Sequence, residues 1–407
     1  MESHFTAEFF VNNRKKLRTL FTGTAPIVLT ANGLLQRNSD VTFPFRQDSS
    51  FWYLTGIDEP DLILVMDKDK EYLIMPHRTD MQAVFDGAIE SDQLTACSGI
   101  QTVFDHKTGW KQLDTRLKRV KHIATLAAAP PYITKHGFYV NPARANLIKR
   151  LKELVPNAEL LDLRPHVTRL RMVKQTPELD AIKQAIAITT TTLKEVTTKL
   201  SQYQYEYEVE AAITAGFRRR GADHAYQPIV ASGANACTLH YVANNSALDA
   251  KKSLLIDVGA EVDHYAADIT RSYALSKPNK RLQSVFNAVL EVQAFASSSL
   301  KPGILMKDYE HAVEQFMGEK LRALGLIKTI EREAVKRYYP HATSHFLGLD
   351  VHDVADYDRP LEANMVLTVE PGIYIAQEGI GVRIEDNVMI SQKGIKVLSS
   401  GLLSALQ

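Results

Sequence analysis

Over roughly the first 160 residues, short apolar runs alternate with stretches whose apolar side chains recur every three or four positions. Residues 26–30, 62–67 and 71–75 have the length and composition of strands, while 4–20 and 144–154 carry the repeat of amphipathic helices. That mixture predicts an α/β domain. Its densest stretch, FPFRQDSSFWYLTGIDEP at 43–60, reads first as a core strand and turn, with an interface or gating role as the other reading. Near 163–175 the pattern is interrupted by Arg164, Arg169, Arg171 and Lys174, which marks a boundary. Thr176-Pro177-Glu178 then has the signature of a helix start: a hydroxyl cap, proline in the first turn and an acid behind it. This helix is expected to reach about residue 200, and a second covers 206–220 before Gly221. Another pair, at 281–300 and 307–324, is split by Lys301-Pro302-Gly303 and ends at Gly325. A strand-rich section follows each pair, which hints at an internal duplication. The expected domains are therefore 1–170 and 171–407.

The chain has 407 residues, enough for two or three domains, and its 48 basic and 47 acidic side chains leave a net charge of +1. Bulk electrostatics thus gives no reason to expect nucleic acid or an anionic membrane as partner. Cys97 and Cys237 are the two cysteines, too few for a disulfide framework or a thiolate zinc site. Charged residues from Glu2 to Lys16 break up the start, and the longest apolar runs, such as 62–66, fall far short of about 20 residues. A cytoplasmic protein without a membrane span is expected.

The candidate chemistry lies in the strand-rich sections. SLLIDVG at 253–259 and YAADITRSYAL at 265–275 read as hairpin arms, and a turn centred on Val262–Asp263 would set Asp257 opposite Asp268. Near the C-terminus, strands 365–375 and 380–390 closed around Gln377–Glu378 set Glu370 opposite Glu385, with Pro371 weakening that register. Like charges directly opposed on a sheet are destabilising, so two such buried pairs call for shared protons or cations. HATSHFLGLDVHD at 341–353 adds His341, His345 and His352, three of the chain's 13 histidines. Gly348, Val351 and the lack of caps favour extended chain there over one helix face. His240, in Thr238-Leu239-His240-Tyr241, is a further candidate.

Charge counting favours two metals. Four carboxylates balance two divalent ions, and an oxygen-rich set with one imidazole suits Mn²⁺-like ions or Co²⁺. Two such ions can share a hydroxide and lower its pKa enough for attack near neutral pH, which leaves one negative charge. Arg383, two residues before Glu385 and so on the same face, can offset it, and Tyr374 falls diagonally across the hairpin from Arg383.

The order Asp257, Asp268, His345, Glu370, Glu385 resembles the ligand set of the pita-bread metallopeptidases. LIDVGAEVDHYAADITR, HATSHFLGLDVHD, LTVEPGIYI and GVRIEDN, together with FPFRQDSSFWYLTGIDEP, are most similar to the Xaa-Pro aminopeptidase branch. The resemblance covers most of the chain. It implies an α/β protein in which a smaller N-terminal α/β domain, used in oligomerisation and site access, precedes a C-terminal pita-bread domain. It implies hydrolysis of the N-terminal Xaa-Pro bond of peptides with proline second, by a hydroxide bridging two divalent ions, Mn²⁺ first with Co²⁺ or Zn²⁺ as alternatives.

On this resemblance Asp257 and His345 each hold one metal, Asp268 and Glu385 bridge both, and Glu370 binds one and handles the proton. His240 and His352 bind substrate and stabilise the tetrahedral intermediate. His341 lines the proline side, Tyr226 matches an active-site tyrosine, and Arg383 with Tyr374 sits behind the first aspartate. A homo-oligomer, dimer or tetramer, is implied as well. The segment between the strands of the two glutamates is short, and residues 81–89 offer Phe85 where some relatives use a tryptophan to reach a neighbouring subunit. Asp40 is a candidate contributor between subunits. The nearest alternative is an Xaa-Pro dipeptidase with the same metal set. Methionine aminopeptidase, a creatinase-like metal-free hydrolase and a non-enzymatic binding module are disfavoured by the large N-terminal domain or by the retained ligands.

Overall fold

A computed structural model of the chain describes residues 3–68, 70–128, 133, 137–402 and 406. It divides into two units, one of Phe5–Leu170 and one of Arg171–Gln407 together with Met1–His4.

The N-terminal unit is built on a six-stranded mixed sheet. In spatial order its strands are Val103–Phe104, Lys70–Ile74, Ile63–Asp67, Ile27–Thr30, His122–Thr125 and Glu159–Asp162. The apolar runs are its central strands because both faces are buried: on one, Val28, Ile63, Val65 and Ile74 pack with Leu113, Leu117, Leu147 and Leu151 of the helices, and on the other Leu29, Leu64 and Leu73 are buried as well. Residues 43–60 depart from the expected strand. Ser49–Thr55 is a helix, capped by the Asp48 carboxylate, which accepts from the N–H groups of Ser50 and Phe51, and closed by Gly56 at φ 69°. Phe51, Trp52, Tyr53 and Leu54 are all buried, so the run is apolar all round and shows neither period.

The second unit repeats a helix pair followed by strands. Thr176–Thr197 and Glu206–Arg219 precede the sheet formed by Ile229–Ser232, Ser253–Val258 and Ile269–Ala274. Lys280–Ser299 and Met306–Ala323 precede the sheet of Val366–Val369, Asp386–Ile390 and Ile395–Val397 and the ribbon of Gly372–Ile375 with Ile380–Arg383. Val285, Val289, Val313 and Met317 of the second helix pair share one core with Leu367, Ile373, Val382 and Val388 of those strands. No helix among the described residues is long and apolar enough to cross a membrane.

The first hairpin differs from its expected register. Val262 pairs with Tyr265 across a turn at Asp263 and His264, both with positive φ, 47° and 66°, and Asp257 faces Thr270. The turn lies one residue later than the centre read from the sequence, which slips the pairing by two and makes Asp257 and Asp268 diagonal neighbours. Asp263 and His264 carry no glycine to advertise a turn of this type. Gly259, across from Asp268, has no room for a side chain: a Cβ there would lie 1.7 Å from the Ala267 carbonyl oxygen. The second hairpin keeps the expected register on both sides of Pro371, with Gly372 against Arg383 and Val369 against Asp386.

Candidate active site

Three of the four carboxylates stand at breaks in these hairpins. Asp268 immediately precedes Ile269–Ala274, Glu370 separates Val366–Val369 from Gly372–Ile375, and Glu385 separates Ile380–Arg383 from Asp386–Ile390. At the breaks the backbone leaves its own ladder and joins the hairpins: the Glu385 N–H donates to the Thr270 carbonyl at 3.0 Å. The Asn387 side chain grips the Asp268 backbone at both polar groups, accepting from its N–H at 3.1 Å and donating to its carbonyl at 2.5 Å. Asp257 sits within Ser253–Val258, paired with Ile229 on its other side.

His345 arrives from the 341–353 segment, which, as expected, is not a helix, but is not extended throughout either: it is irregular, with bends at 341, 343 and 348–352. Its N–H donates to Thr368 Oγ1 at 3.1 Å, and its carbonyl accepts from the Thr368 N–H at 3.0 Å. Nδ1 lies 3.1 Å from the Phe346 carbonyl, and with Nδ1 protonated that contact leaves Nε2 as a lone-pair donor facing Asp268 Oδ2 at 3.4 Å and Glu370 Oε1 at 3.3 Å. Ligand atoms of Asp268, His345 and Glu385 all lie within 4.8 Å of one another. Asp257 joins through Tyr226, whose hydroxyl is 2.6 Å from Asp257 Oδ1 and 2.6 Å from Asp268 Oδ1.

Electrostatics sets the character of this cluster. Burial pushes Glu370 and Glu385 well above the ordinary carboxylate range, and the charges of Asp268 and Asp257 add to it against Arg383. Burial also raises Asp257, opposed by Arg383. At Asp268 burial acts the same way but is outweighed by the hydrogen bond and charge of His345, which hold it below its usual value. The same contact, together with the charge of Glu385, raises His345 against the effect of burial. Glu385 Oε2 accepts from Thr270 Oγ1 at 2.7 Å, while its Oε1 is buried with no hydrogen-bond partner among the described residues. A buried carboxylate oxygen left this way is costly unless a cation takes its lone pair. The donor set is four carboxylates and one imidazole, so the residues fit hard divalent ions.

Arg383 supports the cluster from behind. It donates to Asp257 Oδ2 at 2.5 Å, to Thr270 Oγ1 at 3.0 Å and to the Tyr374 hydroxyl at 2.9 Å. That hydroxyl is 2.8 Å from His341 Nε2. Burial, then the charge of Arg383, lowers the His341 pKa to about 3, so its neutral ring accepts the Tyr374 proton. His352 lies at the rim, its ring 4.4 Å from that of His345 and nearly perpendicular to it. Partial burial, followed by the charge of His345, brings His352 to about 4, and exposed His240 is near enough to add to that effect. The structure thus brings together Asp257, Asp268, His345, Glu370, Glu385, Arg383, Tyr374, Tyr226, His341 and His352, with His240 at the edge. Thr270 and Asn387 escaped the sequence reading, although each lies two residues from a candidate acid on the same strand face. Glu310 escaped it too; its carboxylate accepts from the N–H groups of Thr343 and Ser344 at 2.9 and 3.0 Å, and nothing in its helix marks it.

Residues 180–392 match metallopeptidase family M24, and residues 10–124 match the aminopeptidase P N-terminal domain. The chain is 32% identical to an Xaa-Pro aminopeptidase of Haemophilus influenzae, over 97% of this chain and 94% of that protein. It resembles the Escherichia coli aminopeptidase P structure with the inhibitor Pro-Leu at 28% identity and TM-score 0.86, covering 98% of this chain and 96% of that one. A zinc-substituted form of the E. coli enzyme in complex with product matches at 27% identity and the same TM-score, 0.86, with 98% and 96% coverage.

Proposed function

The chain belongs to metallopeptidase family M24, in its aminopeptidase P branch, and we propose that its buried carboxylate–histidine cluster is the centre where it performs that branch's reaction. It hydrolyses the N-terminal Xaa-Pro bond of peptides in a metal-dependent reaction. The observation that carries the assignment of the site is the convergence of Asp257, Asp268, His345, Glu370 and Glu385, with Glu385 Oε1 buried and without a hydrogen-bond partner among the described residues.

In this reading Asp257, His345 and Glu370 would each be a ligand to one of two divalent ions, and Asp268 and Glu385 would be ligands available to both. When bound, the ions supply an activated water and polarise the scissile carbonyl. Mn²⁺ is the proposed physiological ion, because the donors are predominantly carboxylate oxygen. Glu370 accepts the proton of the attacking water and passes it to the departing proline nitrogen; its dry, anion-rich surroundings favour proton uptake. His352 and His240 donate to the oxygen that gains charge in the transition state. His341 lines the proline side, and Tyr226 orients Asp257 and Asp268 through its two short contacts. Arg383 opposes the effect of burial on Asp257 and, through Tyr374, fixes His341.

Two further parts of the reading concern the setting. A homo-oligomer is supported by the helix Asp80–Asp86, whose Met81, Val84 and Phe85 are all strongly exposed. A cytoplasmic site of action is supported by Cys97 and Cys237, both free thiols.

The test is Mn²⁺-loaded protein incubated with an Xaa-Pro-Yaa tripeptide and with an Xaa-Pro dipeptide, products read by mass spectrometry. Release of free Xaa with Pro-Yaa intact is expected. Cleavage of the dipeptide alone would make the protein a dipeptidase.

A further inference from the structure

The cations that interrupt the apolar pattern at the start of the second unit are not a solvated linker. Arg171 and Lys174 are each 2% exposed, and both donate to the buried carboxylate of Asp353. Arg171 Nη2 reaches Oδ1 at 2.5 Å and Lys174 Nζ reaches Oδ2 at 2.9 Å. The same Arg171 nitrogen donates to Asp350 Oδ2 at 2.7 Å, and Lys174 Nζ donates to the Arg171 carbonyl at 2.8 Å. The Lys174 N–H is in turn bonded to the Asn364 carbonyl at 3.0 Å. One carboxylate is thus gripped from two directions by cations that are themselves tied down.

Asp353 immediately follows His352, and its N–H donates to the Phe346 carbonyl at 2.9 Å, closing the loop at its base. His345 and His352 therefore flank the two ends of this loop, with their rings 4.4 Å apart. Gly348 passes so close to the ion cluster that a Cβ there would lie 2.2 Å from Asp353 Oδ2. Burying three charges is costly, and well-packed apolar side chains of similar volume commonly stabilise as much or more. Stability alone is a weak reason for this arrangement; geometry is a better one. His352 leaves the backbone next to Asp353, so fixing Asp353 inward limits the directions in which His352 can point at the rim.

We infer that Arg171 and Lys174 are positioning residues that act through Asp353 to hold His352 against the carboxylate cluster. The inference rests on the role proposed above for His352 in stabilising the transition state.

The experiment is a double-mutant cycle of Lys174→Met and His352→Ala in the full-length, Mn²⁺-loaded protein. Lys174→Met is expected to lower kcat by about 10- to 100-fold with little change in KM. In the His352→Ala background it is expected to lower kcat no further. In metal-free protein, the His352 imidazole resonance, identified by its loss in His352→Ala, is expected to shift or broaden in Lys174→Met. Lys174→Arg, which keeps the cation, should recover most of the turnover. Losses that multiply in the double variant would overturn the inference while leaving the role of His352 intact, and so would a folded Lys174→Met protein with unchanged kcat. His352→Ala with wild-type turnover would instead remove the role of His352 itself. Should Lys174→Met prove insoluble, Lys174→Gln, which keeps a donor but no charge, decides the same cycle in the same way.

Discussion

Replacing Arg383 by methionine would remove the cation that faces Asp257 and test the electrostatic account of the site. The side chain is 4% exposed and makes three hydrogen bonds, to Asp257, Thr270 and Tyr374. Without it, burial and the charge of Asp268 both push the Asp257 pKa further up, so the metal-free folded protein binds a proton there more tightly than the unfolded chain does. Each unit by which the folded-state pKa rises costs about 1.4 kcal/mol of stability at a pH above it. Because the folded-state pKa is raised, the penalty is small below about pH 4 and accumulates as pH rises. Wild-type protein already carries part of this penalty, so the difference between the two proteins is the part that Arg383 offsets. At about 2–4 °C per kcal/mol, the unfolding transition of this unit should fall by roughly 3–6 °C for each such unit at pH 7 in EDTA, and by less at pH 5. Saturating Mn²⁺ should shrink the difference, because the ions then neutralise Asp257. Calorimetry of both proteins at the two pH values, with and without metal, reads all of this. An equal drop in Tm under every condition would mean that Arg383 acts by packing alone.

Three other outcomes are expected. Glu370→Gln should reduce kcat by about 10²- to 10⁴-fold while KM changes little, and unchanged turnover would place the proton-transfer residue elsewhere. EDTA should abolish activity and Mn²⁺ restore it; since Glu370 and Glu385 bind protons tightly in the metal-free site, metal binding should release protons and weaken as pH falls. Titration calorimetry in buffers of different ionisation enthalpy would detect that release, and its absence would contradict the assigned burial effect. Gly259→Ala should destabilise the second unit by about 3 kcal/mol or more, because its Cβ would meet the Ala267 carbonyl oxygen at 1.7 Å, and chemical denaturation measures it.

What the amino-acid sequence determined by itself is what depends on near neighbours. Period-two alternation placed Arg383 and Glu385 on one strand face, and the turn around Gln377–Glu378 fixed Glu370 opposite Glu385, a register the structure holds across Pro371. The start of Thr176–Thr197 was legible for the same reason, with Pro177 and Glu178 in its first turn, although Gln175 caps it and not the Thr176 hydroxyl; Gly221 and Gly325, both at positive φ, follow the ends of two other helices as read. Local reading failed where the local signal was weak. The turn at Asp263 and His264 uses positive φ without glycine, so its centre was misplaced by one residue. The Ser49–Thr55 helix is buried on all sides and shows no amphipathic stripe.

Only the tertiary structure decided how the pieces meet. Asn387 takes the Asp268 backbone from 119 residues away, and Arg171 reaches Asp353 across 182. Charges that look solvated along the chain became buried anchors because opposite charge arrives from a distant segment. No periodicity encodes that meeting, since the energy of an ion pair depends on separation in space and on the water excluded around it.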